Sequence, residues 1–101
     1  MQDFIHPGAE PGEKQVFVTV TNPLGFHARP AAQFVKCANK YPKCEVFAEK
    51  DGKRVNGKSI MGLMMFAAEQ GSQMALIARG DKAEECLRDL VELFRNNFGE
   101  A

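Results

Sequence analysis

The 101-residue chain has no net charge, since 13 Lys and Arg balance 13 Asp and Glu, and it has one tyrosine. Charge balance argues against coating nucleic acid through bulk positive charge, and the lone tyrosine argues against a base-stacking platform. No apolar run approaches the roughly 18 residues that a membrane span needs. Residues 1–14 are polar and lack the apolar core of a secretory signal, so a cytoplasmic protein without membrane insertion is expected. Cysteine is scarce and odd in number: Cys37, Cys44 and Cys86 form no C-x-x-C pair and no zinc spacing. They read as reduced thiols in or near the core, and neither a metal nor a cofactor is expected. No set of histidine, carboxylate and nucleophile suggests a stand-alone hydrolase. The length allows one domain with one core.

What is present is organised by charge and by period. Residues 1–13 carry three acids and no base, residues 14–58 an excess of six bases, and residues 59–101 an excess of three acids. If the basic middle has a partner, that partner is acidic or phosphorylated. Pro7, Gly8, Pro11 and Gly12 mark residues 1–14 as a flexible arm, with His6 exposed in it, and residues 15–101 as the domain. Val16, Val18 and Val20 alternate as a half-buried strand, which Asn22-Pro23-Leu24-Gly25 breaks. Ala31, Phe34, Val35 and Ala38 share a helical face, with Pro30 suited to the first turn and Tyr41-Pro42 ending the helix. Strands over Cys44–Glu49 and Lys53–Val55 flank the turn signal Asp51-Gly52. Ser59 can cap a short helix starting at Ile60. Met74, Leu76 and Ala78 alternate in a fourth strand that Gly80 ends. A last helix, with Asp81 and Glu84 spaced for capping, carries Ala83, Cys86, Leu87, Leu90, Val91 and Phe94. The order β-α-β-β-α-β-α predicts an α+β domain with helices on one face of an antiparallel sheet. The other face is expected to be solvated, carrying Thr19, Thr21, Glu45, Glu49 and Gln73.

Gly25-Phe26-His27-Ala28-Arg29-Pro30 joins the first strand to the first helix and puts His27 at or just before the helix start. The first helical N–H groups have no intrahelical partner, and the dipole end there is positive. An anion beside the ring is therefore favoured, and a phosphate on the imidazole would meet free N–H donors. Arg29 can add a charge-assisted contact to phosphate oxygens. Gly25 lets the chain turn tightly before the ring, and Pro30 fixes the first turn without losing a hydrogen bond.

The stretch Gly25-Phe26-His27-Ala28-Arg29-Pro30-Ala31 resembles the active-site motif of the histidine-containing phosphocarrier family, HPr, of the bacterial phosphoenolpyruvate-dependent phosphotransferase system. A second stretch, Asn56-Gly57-Lys58-Ser59-Ile60-Met61-Gly62-Leu63-Met64, resembles that family's regulatory serine and the short helix after it. The element order also agrees from about Gln15 to Phe98. The resemblance implies an HPr-like open-faced β-sandwich, a four-stranded antiparallel sheet with three helices on one face. It implies that His27 accepts a phosphoryl group from phosphorylated enzyme I and passes it to an enzyme IIA protein. Arg29 and the N–H groups of Ala28 and Arg29 would steady the phosphate. Ser59 would be the target of HPr kinase/phosphorylase in lineages that have it. The protein would be a phosphoryl carrier, not an independent catalyst; as a shuttle it is expected to be a monomer.

Two features pull apart within that family. Asn22-Pro23-Leu24-Gly25-Phe26-His27 is more similar to the nitrogen-related branch, whereas Ser59-Ile60-Met61-Gly62 is more similar to kinase-controlled carriers. The alternative is thus a regulatory protein acting through docking and Ser59 without sugar transport. Ile60, Met61, Leu63, Met64, Met65 and Phe66 are apolar almost all round, and one short helix cannot bury every face. By family analogy Ile60, Met61 and Met64 form an exposed docking patch, with Lys36 and Lys58 placed to contact acidic partner surfaces.

Overall fold

A computed structural model describes residues 4–66 and 69–100. The elements are β1 (His6–Pro7), β2 (Glu13–Thr19), α1 (Ala28–Ala38), β3 (Cys44–Lys50), β4 (Lys53–Asn56), α2 (Ile60–Met64), β5 (Gln73–Gly80) and α3 (Ala83–Arg95), with a 3-10 turn over Asn97–Gly99. The strands lie in the order β1-β2-β5-β3-β4, with every neighbouring pair antiparallel. Val16 and Val18 point inward from β2. Val20 continues the pairing beyond it, donating to Ser72 O and accepting from Gly71 N. Asp51 and Gly52 both adopt left-handed φ, 53° and 79°, which is what a two-residue hairpin turn between β3 and β4 requires.

The helices cover one face of the sheet. Val16, Val18, Val46, Ala48, Met74, Leu76 and Ala78 pack there against Ala31 and Phe34 of α1 and Leu87 and Leu90 of α3. Phe26, Phe34, Phe94 and Phe98 form an aromatic cluster with ring centroids 4.8–6.4 Å apart, mostly edge to face. At the far end of α1 the Tyr41 hydroxyl donates to Asp89 of α3. All three thiols are buried and free, as their count and spacing suggest. Burial pushes the Cys86 thiol up to about 12 and raises those of Cys37 and Cys44, which disfavours their thiolates.

The structure departs from the sequence expectation in three places. The sheet has five strands, because His6–Pro7, within the segment read as an arm, pairs with Gln15 and Lys14 on the edge of β2. His6 is consequently half-buried and stacks on Phe17 at 5.5 Å, and Ile5 packs against the core. Met1–Asp3 of that segment lie outside the described residues. Second, the outer face is only partly solvated. Thr19, Thr21, Glu45 and Gln73 are exposed and Glu49 is half-buried, but Ala75 and Ile77 of the central strand are buried. Third, Asp81 does not cap α3. Its N–H is turned back to Lys43 O at 3.2 Å, and Lys82, with φ 62°, occupies the cap position without a side-chain bond.

A charged lattice covers the outer face. Glu13 is 3% exposed, and its Oε2 accepts from Arg54 Nη1 at 2.9 Å. Arg54 also reaches Glu49, and Arg79 pairs with Glu45 at 2.8 Å. The two guanidinium groups lie 5.2 and 6.0 Å from the Phe47 ring centroid. Burial pushes the Glu13 carboxyl up, but the Arg54 guanidinium, the Glu10 N–H and the Arg79 charge outweigh it and hold the group below the ordinary value of 4.5. A lowered native pKa adds stability above the unfolded value, and this is lost as pH falls through the native one. Glu13→Gln should therefore flatten the loss of stability below pH 4.5, read by thermal unfolding across pH. Arg54→Ala should cost about 2 kcal/mol by leaving a buried charge unpaired, with part recovered when Glu13→Gln is added. An additive double variant would contradict the pairing.

Candidate functional site

The site begins where β2 gives way to α1. Asn22, 1% exposed, closes the intervening turn twice: Gly25 N donates to its carbonyl at 3.0 Å, and its side-chain Nδ2 donates to Gly25 O at 2.7 Å. Gly25 sits at φ 73°, a conformation that favours glycine and brings the chain round to His27. Phe26 turns inward to the aromatic cluster, and His27 turns outward as the N-cap residue of α1. Its backbone is extended (φ −99°, ψ −166°), and its ring makes no capping bond to the helix. The first-turn N–H groups of Ala28 and Arg29 thus have no intrahelical partner and no side-chain cap, and Pro30 has no N–H to satisfy. Ala28 and Arg29 are both exposed, as a site for an incoming anion requires.

The C-terminal turn supplies a group that sequence reasoning missed. Asn97, Phe98 and Gly99 have consecutive left-handed φ values of 51°, 54° and 76°. Two of them are not glycine, and Phe98 is the costlier, since a bulky side chain seldom adopts this conformation. Burial of its ring among Phe26 and Phe94 holds it there, and Gln33 of α1 donates to its carbonyl at 3.0 Å. The turn ends with Glu100 between Asn22 and His27. Asn22 Nδ2 donates to Glu100 Oε1 at 2.8 Å, and His27 Nε2 lies 2.7 Å from Oε2. The Asn22 amide, the His27 ring and the Arg29 charge hold the Glu100 carboxyl below its ordinary value. Nothing local marks Glu100 in the sequence, because it lies 73 residues from the ring it meets. Asn22 had a legible signal as a turn former, but its burial did not.

An open groove of about 650 Å³ adjoins the ring, lined by Pro23, Leu24, Phe26, His27, Met64 and Gln70 among others. Ile60, Met61 and Met64 are exposed, as expected, with Leu24 and Met65 in addition. Leu63 and Phe66 are the residues of this segment that turn into the core. Leu24 and Met64 thus join the exposed apolar residues to the groove beside His27. Lys36 is exposed on the last turn of α1. Lys58 is not free: its ammonium donates to the carbonyls of Tyr41 and Cys44 at 2.8 and 2.7 Å. Ser59 is the N-cap of α2, and its Oγ accepts from Gly62 N at 3.0 Å. Among the described residues no group of three or more His, Cys, Asp or Glu side chains is placed to hold a metal ion, and no helix is long and apolar enough to cross a membrane.

Known proteins resemble this chain over most of its length. The family model described as the PTS HPr component phosphorylation site matches residues 14–96. The chain is 45% identical over 84 residues to the phosphocarrier protein HPr of Pseudomonas aeruginosa, covering 82% of this chain and 92% of that one. It is 51% identical over 74 residues to the HPr-like protein Crh of Bacillus subtilis, covering 73% and 86%. A crystal structure of HPr from Thermoanaerobacter tengcongensis superposes with a TM-score of 0.81 at 45% identity, covering 86% of this chain and 97% of that one.

The cap on α2 yields a direct test. Ser59→Ala should lower stability by about 1 kcal/mol in urea unfolding by leaving the Gly62 N–H without its acceptor. Unchanged stability would mean that the hydroxyl does not hold the helix.

Proposed function

The chain belongs to the HPr family of phosphotransferase-system phosphocarriers, and from that premise we propose that His27 is its phosphoryl acceptor, charged by enzyme I and discharged to an enzyme IIA protein. The observation that carries this reading is the placement of His27: an outward-facing ring at the N-cap of α1, beside uncapped N–H groups and the exposed Arg29. A ring nitrogen bonds to phosphorus as the bond to the donor breaks and its electron pair leaves with the donor. The new phosphate oxygens then face the N–H groups of Ala28 and Arg29 and the positive helix end. Arg29 contributes a charge that can follow the phosphate. No metal or cofactor is called for. Holding the phosphate loosely is part of the function, since over-stabilising it would obstruct onward transfer.

The exposed patch of Leu24, Ile60, Met61, Met64 and Met65 is the proposed docking surface for both partners. Flexible methionine side chains suit a surface that must fit several unrelated proteins. Lys36, exposed on the last turn of α1, offers a positive charge to acidic partner surfaces. Lys58 acts instead by tethering the segment before α2, because its charge is held by backbone carbonyls. On this reading the carrier acts in the cytoplasm as a single copy, which would leave the patch open.

A second reading concerns Ser59, and its place as the N-cap of α2, directly before the exposed Ile60 and Met61, favours it. HPr kinase/phosphorylase would phosphorylate Ser59 at the start of α2, where the added charge meets a helix N-terminus and is tolerated locally. Its effect would fall on docking, because Ser59 immediately precedes Ile60 and Met61. Whether the output is sugar transport or nitrogen-type regulation then depends on which partners use the patch.

Intact-mass measurement with phosphoenolpyruvate and enzyme I tests the main reading. One acid-labile phosphate should appear on the wild type and none on His27→Ala, while Arg29→Ala should accept phosphate more slowly. Phosphate retained by His27→Ala would overturn the assignment. Acid-stable, ATP-dependent phosphate on Ser59 with none on His27 would favour the regulatory reading.

A further inference from the structure

We propose that Glu100, oriented by Asn22, is a positioning residue that selects the reacting nitrogen of His27 and balances the charge the ring acquires on phosphorylation; this rests on the carrier reading above. The inference starts from donors and acceptors. An ionised carboxylate can only accept hydrogen bonds, and the 2.7 Å contact joins Glu100 Oε2 to His27 Nε2. Nε2 therefore carries the proton, and the lone pair of the neutral ring resides on Nδ1. Asn22 fixes the carboxylate from behind: its Nδ2 binds Oε1 at 2.8 Å and the Gly25 carbonyl at 2.7 Å, tying the tail to the turn that presents the ring. The left-handed turn at Asn97–Gly99, anchored by the Phe98 ring, brings Glu100 to this place.

The electron count gives the contact a role in transfer. When Nδ1 of a neutral ring that keeps its Nε2 proton bonds to phosphorus, the ring becomes a phosphoimidazolium with one positive charge. The Glu100 carboxylate lies against that charge. In the onward step the N–P bond breaks and its electron pair returns to Nδ1, and because Nε2 kept its proton the ring leaves neutral. A ring that had lost the proton would have to leave as an anion, a far poorer leaving group. Holding the Nε2 proton thus favours both arrival and departure of the phosphoryl group, by stabilising charge where it develops. Among the described residues, the other charged groups near this ring are Arg29 of α1, close enough to influence Glu100, and Glu69, which lines the adjoining groove.

Two readouts on the full chain test this. In the unphosphorylated protein, nitrogen-15 NMR should show a hydrogen-bonded Nε2 proton on His27. It should persist in Glu100→Gln, which keeps an acceptor, and vanish in Glu100→Ala. In the phosphorylated protein, the pH midpoint of phosphohistidine hydrolysis should move down by roughly one unit in both variants, since both lose the carboxylate charge. A residue that merely held the tail in place would leave that midpoint alone and would not separate Gln from Ala in the NMR readout. An Nε2 proton absent from the wild type, or a hydrolysis profile in Glu100→Ala superimposable on wild type, would overturn the proposal and leave the carrier reading intact. Absence of phosphate on wild-type His27 would instead overturn the carrier reading.

Discussion

Asn22 is almost fully buried, and its side-chain nitrogen is committed in two directions, to the carbonyl of Gly25 and to the carboxylate of Glu100. A buried amide without partners would cost about 1–3 kcal/mol, so this residue requires both the tight turn before α1 and the return of the chain after α3. The two segments lie 78 positions apart. The aromatic cluster reinforces the join, since Phe26 follows the turn and Phe98 precedes Glu100. On the proposed account this junction, and not α1 alone, sets which nitrogen of His27 reacts, because a helix start offers N–H donors to an anion but does not choose a ring nitrogen.

The proposed chemistry and the proposed docking share one surface. The short helix α2 turns Leu63 inward and leaves Ile60, Met61 and Met64 outside, so an apolar patch is the direct consequence of a five-residue helix with apolar residues all round. Met64 also lines the groove beside His27. A partner that packs on the methionines is thereby brought over the ring. Ser59 stands at the start of the same helix and holds it with a cap, which places the proposed regulatory site within the surface whose docking it would alter.

Much of this was legible in local pattern. The valine alternation of β2, the helical spacing of Ala31, Phe34 and Ala38, the Asp51-Gly52 hairpin and the Ser59 cap each follow from a few adjacent residues, and His27 at a helix start follows from the Gly25–Pro30 stretch. What escaped depends on partners distant in sequence. His6–Pro7 joins the sheet because β2 offers a free edge, which no property of a Pro- and Gly-containing stretch announces. Asp81 does not cap α3 because the helix begins one residue later, with Lys82 at the cap position in a left-handed conformation. Lys58 was read as a free charge, and its tether to Tyr41 and Cys44 requires the folded reversal. Glu100 was one acid among seven in the last part of the chain. Only the left-handed turn at Phe98 distinguishes it, and that turn depends on the core already being assembled.

The central claim is that an outward-facing imidazole accepts phosphate on the nitrogen facing away from Glu100. Nitrogen-15 and phosphorus-31 NMR of the protein phosphorylated by enzyme I tests it most directly, because coupling to phosphorus identifies the bonded nitrogen. The account predicts phosphorus on Nδ1 of His27, with Nε2 still protonated. Phosphorus on Nε2 would require Glu100 to have been displaced and would contradict the account.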